Sequence, residues 1–150
     1  MIKKSNLAIV ITSIGNQIYL DQCLRSIFRQ TEKPAQIILV LPKNKDYNNS
    51  YYKLEILNSR VRNQVHQRNL GISKLSNDIK ILVQLDDRVI LEKNAIKNII
   101  KCWNLNEYQN IAGIGFNDIV SKKKSSFNGS LLTKLFRNYQ GAVLKNGMCI

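Results

Sequence analysis

LAIVIT at residues 7–12 is apolar and β-branched, with no alternation between apolar and polar positions. A strand wetted on one face alternates. A strand covered on both faces does not, and that second pattern belongs to parallel sheets. IILVL at 37–41 and IKILVQL at 79–85 have the same character. Between the first two, SIGN at 13–16 breaks the run. Leu20, Cys23, Leu24, Ile27 and Phe28 then recur at the spacing of an amphipathic stripe, which predicts a helix from about residue 17 to 30. Pro34 ends it, because proline disfavours helical geometry at the residue before it.

Further along, PKNKDYNNS at 42–50 reads as a loop, 51–59 as a weak helix and VRNQV at 61–65 as a short strand. Asn69 to Ser76 reads as a short helix after a turn. Leu91 to Trp103 reads as a helix with Ile96, Ile99, Ile100 and Trp103 on one face, and Trp103 is expected in the core. IAGIGF at 111–116 reads as a further strand and KKKSSFNGS at 122–130 as an exposed loop, while 131–150 fits no single element. Strand and helix alternate. The expected fold class is therefore α/β: an open, mostly parallel, Rossmann-like sheet with flanking helices and right-handed crossovers. No repeat, linker or low-complexity tract interrupts residues 1–150, which read as one domain.

The chain carries 23 Lys and Arg against 10 Asp and Glu, a net charge of +13. Such a surface attracts phosphate whatever its sequence context, so a basic α/β nucleic-acid-binding module is a competing expectation. Against it, the charge is spread out, KKK at 122–124 is the only tight run, and the aromatic interleaving of single-strand platforms is missing. A basic face also suits an anionic membrane surface or a diphosphate ligand. The apolar runs at 7–11 and 37–41 fall far short of the ~20 residues a bilayer span needs. The basic start MIKKSNLAIVITSIGN has too short an apolar stretch for a signal peptide and no small-residue cleavage site. Three scattered cysteines without a CxxC pattern fit a reducing compartment and no structural zinc. The expected location is cytoplasmic, with at most peripheral contact at a membrane.

Ligands of open parallel sheets bind beyond the carboxyl ends of the strands, at a topological switch point. That rule selects Thr12, Ser13 and Gly15, the loop after Leu41, the segment Arg68–Gly71, and Asp86–Asp87. The acidic pair is the sharpest feature, since two of ten carboxylates stand side by side after a buried strand. Two ionised carboxylates there repel one another unless a cation joins them. A divalent ion such as Mg²⁺ or Mn²⁺ takes oxygen ligands and bridges to phosphates. The pair has two plainer readings, capping of the next helix or pairing with Arg88 and nearby lysines. The single histidine, His66, reads as a structural hydrogen-bonded residue or a pocket residue.

In order along the chain, these segments resemble the glycosyltransferase family 2-like proteins of the GT-A fold. IVITSIGNQIYLDQCLRSIFRQTEKPAQIILV at 9–40 is similar to that family's opening, through Leu20, Cys23, Leu24, Ser26, Ile27, Gln30, Thr31 and Pro34. QRNLGI at 67–72 resembles its RN.G segment. ILVQLDDRVIL at 81–91 resembles the strand that ends in its metal-binding, DxD-type acidic motif, and IAGIGF the strand that follows. The resemblance implies a nucleotide-sugar donor, usually a UDP-sugar, bound through a divalent cation and transferred to an acceptor hydroxyl of unknown kind: sugar, lipid-linked or protein. It implies metal ligation by Asp87 with Asp86, and nucleotide-sugar contacts by Thr12, Ser13, Arg68 and Asp86, with Asn69 and Gly71 shaping a turn.

Three departures accompany it. Arg88 stands at the third position of the acidic motif, where it competes for the carboxylates. The second strand runs into Leu41–Pro42–Lys43, where the family has an Asp that reads the base. The family's catalytic carboxylate lies in a later acidic motif, whereas only Glu92, Glu107 and Asp118 follow Asp87 here, and none has that setting. No catalytic base is assigned, and the sequence reads as a GT-A-like region incomplete at its C-terminal side, with an inactive relic as a third expectation.

Overall fold

The computed structural model describes residues 3, 6–47, 53–105, 113–116, 144–145 and 148–149. They fall in two compact units, Met1–Asn106 and Glu107–Ile150. The first unit runs β1 (Leu7–Thr12), α1 (Gln17–Phe28), β2 (Gln36–Pro42), β3 (Leu54–Ser59), α2 (Gln64–Ile72), β4 (Ile81–Asp86) and α3 (Ala95–Trp103). Its sheet has the order β3-β2-β1-β4, and every pairing is parallel. The α/β expectation holds, with a fully parallel sheet. In the second unit, β5 (Gly115–Phe116), β6 (Leu144–Lys145) and β7 (Met148–Cys149) form an antiparallel sheet of order β5-β7-β6. The strand expected at 111–116 is thus realised at its end. The loop expected at 122–130 lies outside the described residues. No helix among the described residues is long and apolar enough to cross a membrane.

Every residue of β1 is buried, as its unalternating pattern requires. Side chains at 7, 9 and 11 join those at 37, 39 and 41 under α1 and α3. Val10, Ile38 and Val40 form a smaller cluster on the opposite face, with Leu57, Leu70 and Leu82 packed against it. The expected α1 stripe is buried at Leu20, Cys23, Leu24 and Ile27, and Asn16 caps the helix by accepting from the amides of Ile18 and Tyr19. Ile96 and Ile99 of α3 are buried, with Ile100 and Trp103 packed at the edge of the same core.

The polar members of the 20–34 pattern dock α1 onto the segment that follows β4. The Ser26 hydroxyl donates to the Cys23 carbonyl (2.6 Å) and accepts from the Leu91 amide (3.0 Å). The buried Gln30 amide donates to the carbonyls of Ser26 and Glu92, and its oxygen accepts from the Ile96 amide. Thr31 donates to Asn94 through its hydroxyl (3.1 Å).

Three local expectations are overturned. Residues 54–59 are a strand and not a helix: Leu54 to Ser59 pair in register with Ile37 to Pro42, and pairing overrides the helix preference of Leu and Glu. Residues 61–65 are not a strand. Asn63 caps α2 by accepting from the His66 amide (3.0 Å), and Gln64 is already helical. Asn69 and Gly71 therefore lie inside α2 and shape no turn. Gly71 has a different purpose, since a Cβ there would stand 2.5 Å from Val10 Cγ1 and 3.2 Å from Val40 Cγ2. Only hydrogen fits between α2 and the sheet at that point.

Gly71→Ala is therefore expected to lower stability by about 1–3 kcal/mol despite alanine's better helix propensity. A urea titration measures this. Adding Val10→Ala makes room for the methyl group and should return part of the loss.

Candidate functional site

The chain runs outward from β1 to β2 and β3, then returns to the other flank of β1 as β4. The switch point is therefore the carboxyl edge between β1 and β4. Register sets Thr12 opposite Asp86 there. The Thr12 hydroxyl lies 3.5 Å from Asp86 Oδ1, and the Ser13 hydroxyl donates to Asp87 Oδ2 at 2.5 Å. The Ser13 hydroxyl also accepts from the Gly15 amide at 2.9 Å. Gly15 has φ +91°, so the backbone turns away from the edge immediately after placing Ser13.

Helix α2 supplies the opposite wall. Gln64, Gln67, Arg68 and Gly71 share the i, i+3, i+4, i+7 face that meets the sheet. Gln64 Nε2 donates to Asp86 Oδ1 at 2.6 Å, and Arg68 forms an ion pair with the same oxygen at 3.1 Å. Buried Gln67 donates to the Ser13 carbonyl at 3.2 Å and reaches the Val40 carbonyl at 3.5 Å. Thr12, Ser13, Ile14, Arg62, Gln64, Gln67, Asp86, Asp87 and Arg88 line a cleft of about 460 Å³. Four of the five residues expected in the site thus line one cavity. Arg68 is joined to it through Asp86.

Both plainer readings of the acidic pair give way to other arrangements. Helix α3 starts at Ala95 with Asn94 at its cap position, so neither aspartate caps it. Arg88 stacks 5.0 Å from the centroid of the Tyr19 ring, and the cation on Asp86 is Arg68. His66 is hydrogen-bonding distance from Ser59, 3.0 Å from Nδ1 to the hydroxyl, and lines no part of this cleft. Glu92 is exposed and not among the lining residues, while Glu107 and Asp118 lie outside the described residues.

Gln64 and Gln67 went unrecognised in the sequence. Their signal was the 64/67/68/71 spacing, which reading 61–65 as a strand conceals.

The donor set suits a hard cation. All of the hydrogen bonds to the Asp86 carboxylate fall on Oδ1, and that to Asp87 falls on Oδ2. One oxygen of each carboxylate is left without a hydrogen-bond partner among the described residues. No cluster of three or more His, Cys, Asp or Glu that could hold a metal occurs among them. Asp86 and Asp87 are the two carboxylates of the described cleft that could face a divalent ion, whose other positions water or phosphate oxygens would fill.

Beneath the pair lies Cys23. Burial chiefly, and the Asp87 charge secondarily, push its thiol up to about 12. Burial also raises the Cys102 thiol. A neutral, buried thiol is a poor nucleophile, so Cys23 serves as packing under the acidic turn. No family model matches the chain, and no curated protein matches it.

With its folded value raised, the Cys23 thiol contributes stability that is complete below the ordinary thiol value of 9.0 and is lost as pH rises towards about 12. Cys23→Ala should remove that alkaline loss, so the stability gap between the two proteins narrows across this window in pH-dependent denaturation. Iodoacetamide at pH 8 should leave Cys23 unmodified until denaturant is added, as peptide mass mapping would record.

Proposed function

We propose that the cleft binds a nucleoside-diphosphate sugar through a divalent cation, in the manner of GT-A glycosyltransferases. The observation that carries this reading is the placement of Asp86 and Asp87 at the switch point, each with one oxygen unengaged among the described residues and both lining a cavity beside Thr12 and Ser13. The sheet order β3-β2-β1-β4 supports it, because the Rossmann-like order 3-2-1-4-5-6 begins with it.

Asp86 and Asp87 would hold Mn²⁺ or Mg²⁺ through those oxygens. When bound, the cation neutralises charge developing on the departing diphosphate. Ser13 fixes the orientation of Asp87, and Gln64 with Arg68 fixes that of Asp86. Arg68 is accordingly a positioning residue for the carboxylate. Thr12, though largely buried, and the exposed Arg62 border the space left for the nucleotide. An acceptor hydroxyl would attack the anomeric carbon with help from a carboxylate base. No described residue beside the cleft takes that role.

A UDP-sugar with Mn²⁺ should raise the melting temperature by several degrees, since saturation at a hundredfold excess over Kd adds about 2.7 kcal/mol. Asp87→Asn should abolish that shift while preserving the fold by circular dichroism. Absence of any shift with UDP-, GDP- and ADP-sugars, with and without Mn²⁺, overturns the proposal.

A further inference from the structure

A second cleft of about 590 Å³ adjoins the first. Ile14 and Arg62 line both. Its cationic wall comes from two loops, with Lys43 and Lys45 after β2 and Arg60 and Arg62 after β3. Among the described residues no carboxylate lines it. All four side chains belong to exposed residues, and among the described residues none is paired with a carboxylate.

The fold holds these charges together. The Lys43 amide donates to the Ser59 carbonyl at 2.7 Å, and the Asn58 side chain donates to the Lys45 carbonyl at 2.9 Å. The Ser59 hydroxyl donates to the Val61 carbonyl at 2.7 Å, which fixes the start of the second loop. On the floor, Gly15 leaves room for the Lys45 stem, whose carbons lie 3.1 Å from where a Cβ would be. Asn44, with φ +70°, turns the first loop between its two lysines. Like charges gathered around one concavity repel, and a multivalent anion seated among them relieves that repulsion. Several cationic donors converging from different loops suit the oxygens of a phosphoryl group.

We propose that this second cleft is a metal-independent binding site for a soluble phosphoryl-bearing anion, a diphosphate or a phosphomonoester. It stands apart from the cation-dependent reading of the first cleft, because none of its charge comes from Asp86 or Asp87.

Calorimetric titration of sodium pyrophosphate into the full chain, with EDTA present and at about 0.15 M salt, tests it. Binding is expected, and K43Q/R60Q should weaken it at least about tenfold. The single variant R60Q should weaken it in the same direction. K74Q/K80Q removes the same charge from exposed residues at the amino edge of the sheet and should leave the affinity within about twofold of wild type. Asp87→Asn should retain pyrophosphate binding in EDTA while losing the cation-dependent shift, so the two readings fail separately. Three results overturn the proposal: no heat of binding, equal weakening by the two charge-removing variants, or binding of a single-stranded RNA with pyrophosphate inert.

Discussion

The parallel register of β1 with β4 governs everything at the carboxyl edge of this sheet. Ile11 lies opposite Leu85 and Thr12 opposite Asp86, so the last buried pair sits directly beneath the first polar one. A slip of one residue would turn each side chain to the other face. Asp86 would then leave Gln64 and Arg68, and the apolar side chains of β4 would be set against the wrong helix layer. Burial of β1 on both faces is what makes such a slip costly. The hydrophobic core and the geometry of the acidic pair are therefore specified by the same contacts.

How much of this was legible in the sequence follows from which patterns are local. β1, α1, β2 and β4 announce themselves through unbroken apolar runs or a clean stripe, and Asp86–Asp87 was visible because it terminates one of those runs. β3 was not legible. Its Leu, Glu, Ile and Leu carry no clear alternation, and their strand state depends on pairing with β2, whose partner residues lie seventeen positions upstream. The start of α2 was hidden for a different reason: its sheet-facing residues include Gln64, Gln67, Arg68 and Gly71, so the apolar stripe that marks most helices is missing. Gly71 suggested a turn, whereas the close approach of Val10 explains it. Ser26, Gln30 and Thr31 belonged to the segment that carried the family resemblance, yet their partners at 91–96 are long-range and have no signature in the local sequence.

Charge is distributed with more order than the net +13 suggests. At the switch point two cations are committed, Arg68 to Asp86 and Arg88 to the face of Tyr19. Around the neighbouring cleft the described cations have no such commitments. One sheet edge thus offers two adjoining surfaces of opposite chemical taste, one presenting carboxylate oxygen and the other ammonium and guanidinium. The ion pair at Asp86 is half exposed, so its contribution to stability is small and its main effect is on orientation.

The turn carrying Asp87 is anchored at both ends. β4 pairing and the Val89 amide bonded to the Asp86 carbonyl hold one side, and the Ser26–Leu91 bond holds the other. A short span clamped in this way has little conformational freedom to surrender when a guest arrives. A ligand binding at this edge, as proposed, would pay little ordering entropy in the loop, and its association would need no slow loop rearrangement.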